Sequence, residues 1–106
     1  MERIPQGTLD LFILRTLACG PRHGYGIARW LEDTTDDALA VEEGALYPAL
    51  YRLQRRGWIH AEWAHSELGK DIKVYQLTAE GRAELRKRSA GWTALVAAMN
   101  KVEKAR

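Results

Sequence analysis

At 106 residues, with 46% hydrophobic and 28% charged side chains, the chain suffices for one domain with a modest core and has an ordinary soluble, globular composition. Its formal charge of +2 is too small for indiscriminate coating of nucleic acid and is unevenly spread: residues 78–106 hold seven Lys/Arg and three Asp/Glu, residues 1–77 nine and eleven. There is no run of about 18 apolar residues, the opening MERIPQGT lacks the apolar centre of a signal peptide, and the single cysteine, Cys19, allows no internal disulfide, so a cytoplasmic protein without a membrane span is expected.

Thr8 is placed to cap a first helix over about Leu9 to Cys19. Leu9, Phe12, Ile13, Thr16 and Leu17 make one stripe along it, and Leu11 and Leu14 a second. One core cannot easily cover both faces, so burial against a partner is expected as well. Cys19 belongs to this apolar run and reads as a buried, inert thiol. Gly20-Pro21 stops the helix. Gly24 to Asp33 reads as a second helix with Ile27, Ala28 and Leu31 inward, followed by a polar loop to Asp37. Six acids and no base lie between Glu32 and Glu43, which is expected of a solvated loop. Ala38 to Val41 suits one small strand.

The stretch from Val41 to Trp63, VEEGALYPALYRLQRRGWIHAEW, predicts a third helix that runs into a strand. Leu46, Leu50 and Leu53 recur at spacings of four and three, giving one apolar stripe. Tyr47, Tyr51, Arg52 and Arg55 lie off it, and phenols with guanidiniums on a free helix face can reach phosphate oxygens and base edges in a major groove. The same composition also describes a core helix with a wet basic face. Pro48 removes a backbone donor, so the regular helix is expected to begin near Gly44, with Pro48 in or just past its first turn. Gly57 sits where a left-handed C-terminal cap belongs.

Trp58 to Ala64 and Ile72 to Leu77 alternate and are rich in aromatic and branched residues, a hairpin with Gly69 near its tip. Thr78 caps a last, long helix with Glu80 near its positive end. Leu85, Trp92 and Met99 repeat every seven residues, as do Arg88, Leu95 and Val102, forming a short coiled-coil-like seam that is best from Trp92 onward. Three helices, a hairpin and a long helix make a mostly helical α+β fold: a winged helix-turn-helix with an added dimerisation helix. Residues 1–77 would form the DNA-binding part and 78–106 the dimerisation helix, in one structural unit.

The segments GTLDLFILRTL, GPRHGYGIARWLE, GALYPALYRLQRRGWI and YQLTAEGR resemble the PadR transcriptional regulators, in their short form with one C-terminal helix. The resemblance implies a homodimeric, mostly repressing regulator that binds a short inverted repeat in double-stranded DNA. It implies that Glu43, Ala45, Tyr47, Pro48, Tyr51 and Arg52 belong to the reading helix. Arg22, His23 and Tyr25 would act from the start of the second helix, and Lys70 and Lys73 from the wing. Many relatives have a more basic wing tip; here Glu67 and Asp71 offset the two lysines. The dimer interface is expected from Leu9, Leu11, Phe12 and Leu14 with Trp92, Leu95, Val96, Met99 and Val102.

Trp92 is also a candidate for stacking a small-molecule effector, because some multidrug-sensing relatives use a tryptophan on this helix; its heptad-like position explains burial without a ligand. Trp30, Trp58 and Trp63 read as packing residues. His23, His60 and His65 have no metal-ligand spacing, so neither a metal site nor a cofactor is expected. No nucleophile–base pair or phosphate loop suggests an enzyme. Two other functions fit the pattern: a dimeric multidrug-type sensor, and a winged helix used only for protein–protein contact.

Overall fold

The apolar stripes of the first three helices close on one another and leave a hairpin and a long helix to cover what remains. The computed structural model describes residues 2–3 and 6–105, with side chains from residue 7 onward. Part of the N-terminal stretch read above for a signal peptide lies outside the described residues. In chain order the elements are β1 (Glu2–Arg3), α1 (Gln6–Ala18), β2 (Arg22–His23), α2 (Gly24–Thr34), β3 (Leu39–Ala40), α3 (Glu43–Arg55), β4 (Ile59–His65), β5 (Asp71–Leu77) and α4 (Ala79–Lys104). β4 and β5 form the expected antiparallel hairpin, and β2 adds to it, giving the order β2-β5-β4. β1 and β3 pair in parallel as a separate two-stranded piece.

The core joins Leu9, Ile13, Leu14 and Leu17 of α1, Ile27 and Leu31 of α2, Leu46, Ala49, Leu50 and Leu53 of α3, Ile59, Tyr75 and Leu85. Three expectations for α1 fail. The helix begins at Gln6, so Thr8 lies inside it rather than capping it. Leu9 and Leu14 are 2% and 0% exposed within the single chain, so neither has surface to give a partner; only Leu11 and Phe12 are left part-covered. Cys19, expected to be buried, is exposed because α1 ends at Ala18 and the core is left behind.

α3 begins at Glu43, and Pro48, its sixth residue, lies just past the first turn without ending it. Its far end is closed by a complete Schellman motif: the amide of Trp58 donates to the Leu53 carbonyl (3.1 Å) and that of Gly57 to Gln54 (3.0 Å), with Gly57 at φ +77°. The start of α4 is tied to the same point. The Thr78 hydroxyl donates to the Gly57 carbonyl (2.7 Å) and accepts from the Gly81 amide (3.0 Å), and the Thr78 amide donates to the Trp58 carbonyl (3.1 Å). The Trp58 ring is gripped by two guanidiniums, Arg56 at 5.0 Å and Arg88 at 4.9 Å from its centroid. Leu85 and Arg88, the first members of the seven-residue repeat, are thus used within the chain, Leu85 in the core and Arg88 on Trp58. Among the described residues no helix is long and apolar enough to cross a membrane.

Gly81 is the tightest point of this joint, since a Cβ there would overlap the Trp58 carbonyl oxygen. Gly→Ala inside a helix ordinarily stabilises by about 1 kcal/mol. Here Gly81→Ala should instead destabilise by roughly 1–3 kcal/mol through overpacking. Denaturant melts of the two proteins check the sign.

Candidate nucleic-acid interface

Burying Leu46, Ala49, Leu50 and Leu53 turns the opposite side of α3 to solvent. Glu43, Ala45, Tyr47, Pro48 and Tyr51 are all exposed there, Tyr47 at 47% and Tyr51 at 62%. The Arg55 guanidinium lies 5.7 Å from the Tyr51 ring centroid, so a cation travels with that phenol. Tyr47 also leans on the start of α2. A Cβ at Gly24 would come within 2.8 Å of its ring, so the glycine makes room for it. Below it, burial first and then the neighbouring Tyr47 push the Tyr75 phenol above its ordinary pKa, keeping it neutral beside the exposed face.

The segment before α2 divides into three roles. Tyr25 is 58% exposed and stacks with the His23 ring at 6.3 Å between centroids. His23 caps α2, its Nδ1 accepting from the Gly26 amide at 3.0 Å. Arg22 turns back toward α1. Its guanidinium donates to the carbonyls of Thr16 (2.9 Å) and Gly20 (3.1 Å), closing the end of α1, and lies over the Trp30 ring at 5.0 Å. β2, which carries Arg22 and His23, was not foreseen, because two residues paired to β5 leave no periodic signal.

Arg52 is the larger correction. It leaves the exposed face and reaches Asp10 of α1 at 2.8 Å, with side-chain exposures of 29% and 8%. Asp10 has a sequence signal that was missed: it lies three and four residues before Ile13 and Leu14, on the buried face, where a lone acid requires a cation. Arg52 therefore neutralises a buried carboxylate rather than extending the exposed face of α3.

On the wing Lys70 and Lys73 are exposed, and so are the acids: His60 meets Glu62 at 3.1 Å and His65 meets Asp71 at 3.2 Å, with both carboxylates still largely in solvent. Trp63, expected to pack, is 70% exposed, with the Lys73 ammonium 5.6 Å from its ring centroid. On α4, Trp92, Leu95, Val96, Met99 and Val102 form one apolar strip, 41–68% exposed. A groove of about 220 Å³ separates that helix from α1, bounded by Leu11, Phe12, Arg15 and Trp92.

Three packed helices, a small antiparallel sheet ending in a wing, and a long trailing helix define a winged helix-turn-helix protein. The sequence profile of the transcriptional regulator PadR-like family matches residues 13–87. Among solved structures, a transcriptional regulator from Clostridium thermocellum superposes with a TM-score of 0.83 at 29% identity, covering 91% of this chain and 93% of that one. A PadR family regulator from Eggerthella lenta gives 0.82 at 31% identity, over 95% and 86% of the two chains. A PadR-like regulator from Bacillus cereus gives 0.81 at 26%, over 95% and 96%. An uncharacterized protein of Lysinibacillus sphaericus is 30% identical over 89 residues, 84% of this chain and 82% of its own length. The chain belongs to the PadR-like family of transcriptional regulators, which are not enzymes.

The Asp10–Arg52 pair gives a test of its structural role. Removing one member of a buried ion pair costs about 3–5 kcal/mol, and the partial exposure of Arg52 places the expected loss for Arg52→Ala near the bottom of that range. Adding Asp10→Leu to Arg52→Ala should recover most of it. Thermal unfolding of the two single variants and the double variant measures the coupling.

Proposed function

We propose that this regulator represses transcription by occupying a palindromic operator as a homodimer, with α3 of each protomer in a major groove. The observation that carries the reading is the exposed phenol-rich face of α3, held rigid by the leucine stripe behind it and the Schellman cap at its end. Tyr47 and Tyr51 offer hydroxyls to phosphates or base edges and Arg55 a positive charge. Tyr25 extends the same surface from α2.

Dimerisation is supported by the apolar strip on α4. A 26-residue helix projecting bare from Trp92 onward would expose a stripe that a second copy of the same helix covers. Leu11 and Phe12 border it from α1. Two reading helices then lie about one helical turn of DNA apart. Low net charge makes binding in register matter more than bulk attraction.

Footprinting on the DNA upstream of its own gene locates the operator. Full-length protein should bind that duplex tightly and lose most of the affinity when the palindrome is halved. Tyr51→Ala should weaken binding without lowering the melting temperature, because the side chain is already in solvent. Leu95→Glu should give monomers by sedimentation and bind like a half-site. Equal affinity for the whole palindrome, half-site and random duplex at ~0.15 M salt overturns the reading.

A second reading, that an effector regulates this repressor, is supported by the groove beside Trp92, whose walls include Leu11, Phe12, Arg15 and the indole. A planar aromatic cation should quench part of the protein's tryptophan fluorescence, and Trp92→Phe should abolish that part. Quenching unchanged by the substitution removes this reading.

A further inference from the structure

β4 and β5 carry one continuous face from the core out to the wing. Register pairs Ile59 with Leu77, Ala61 with Tyr75 and Trp63 with Lys73, all on that face. Ile59 and Tyr75 are buried under the helices, whereas Trp63, two rungs further out, is 70% exposed. The sheet has outrun the core and kept its apolar face. Between this face and the front of the helices lies a trough of about 530 Å³, walled by His23, Tyr25 and Tyr47 on one side and by Trp63 and Lys73 on the other, with Tyr75 at its floor.

We propose that this trough holds one sugar–phosphate strand of the duplex, with the Trp63 indole packed on deoxyribose and the Lys73 ammonium beside the adjoining phosphate. The inference rests on the operator reading above. One wall is Tyr47 of α3 with the start of α2 and the other is the wing, so a strand bordering the major groove that α3 enters passes between them. The chemistry matches that occupant. The rings offer apolar surface to sugars, while Tyr25, Tyr47 and Lys73 offer donors to phosphate oxygens. The wing has little charge to use: Glu62, Glu67 and Asp71 oppose Lys70 and Lys73, so its hold on DNA must come mainly from the indole. Apolar contact leaves a signature unlike that of ion pairing, because it releases no counterions.

Full-length protein is titrated with its footprinted operator and with random duplex of equal length, over a range of salt concentrations. Trp63→Ala should weaken both duplexes alike, by about tenfold, with the slope of log affinity against log salt unchanged. Trp63→Phe should recover most of the loss, and Lys73→Ala should lower the slope by about one unit. A Trp63→Ala protein that melts like the parent and binds both duplexes as tightly overturns the proposal while the operator reading stands. A loss confined to the operator overturns it too, since the indole would then be reading bases. Parent protein that binds neither duplex overturns the operator reading and this one with it.

Discussion

The structure hangs on the point where α3 ends and α4 begins. Gly57 turns the chain out of α3 in a conformation that favours glycine, Trp58 starts the hairpin, and after both wing strands the chain returns to the same two residues at Thr78. One hydroxyl serves both helices there, accepting from the first turn of α4 and donating to the residue that caps α3. Gly81 permits the approach, and the guanidiniums of Arg56 and Arg88 enclose the Trp58 ring beside it. The direction of α3, the root of the wing and the departure angle of the long helix are set by this one crossing. The spacing of two α3 helices in a dimer would inherit it.

Around that crossing, surfaces with different tasks are separated by simple means. α3 spends four small or branched apolar residues on the core and keeps its rings outside. α4 spends Leu85 and Arg88 near its start and leaves its apolar strip free from Trp92 onward. The Asp10–Arg52 pair ties α1 to α3, so the helix that borders the α4 groove is also fastened to the helix that faces solvent.

Elements with several turns or rungs were legible in the sequence because their patterns repeat. The leucine stripe of α3, the Gly57 cap, the alternation of the hairpin and the Thr78 cap each rest on local chemistry that the fold retains. β1 and β2 are two residues each and exist only through partners distant in sequence. Site residues were harder to read, since charge and ring type do not say which way a side chain turns. Arg22 matches a family motif and Arg52 lies off the leucine stripe, yet one closes α1 and the other answers a buried acid. Trp63 reads as a packing residue, but strand alternation gives only its face and not how far the core extends beneath it. Two stripes on α1 exceed what one core easily covers, but its neighbours surround the helix closely enough to bury Leu9 and Leu14.

The cap at the start of α2 has a consequence for the polarity of the surface beside it. His23 accepts the Gly26 amide through Nδ1, so the neutral ring must carry its proton on Nε2. In that state the imidazole is a donor toward any neighbour and cannot accept, a fixed tautomer set by the backbone rather than by a side-chain partner.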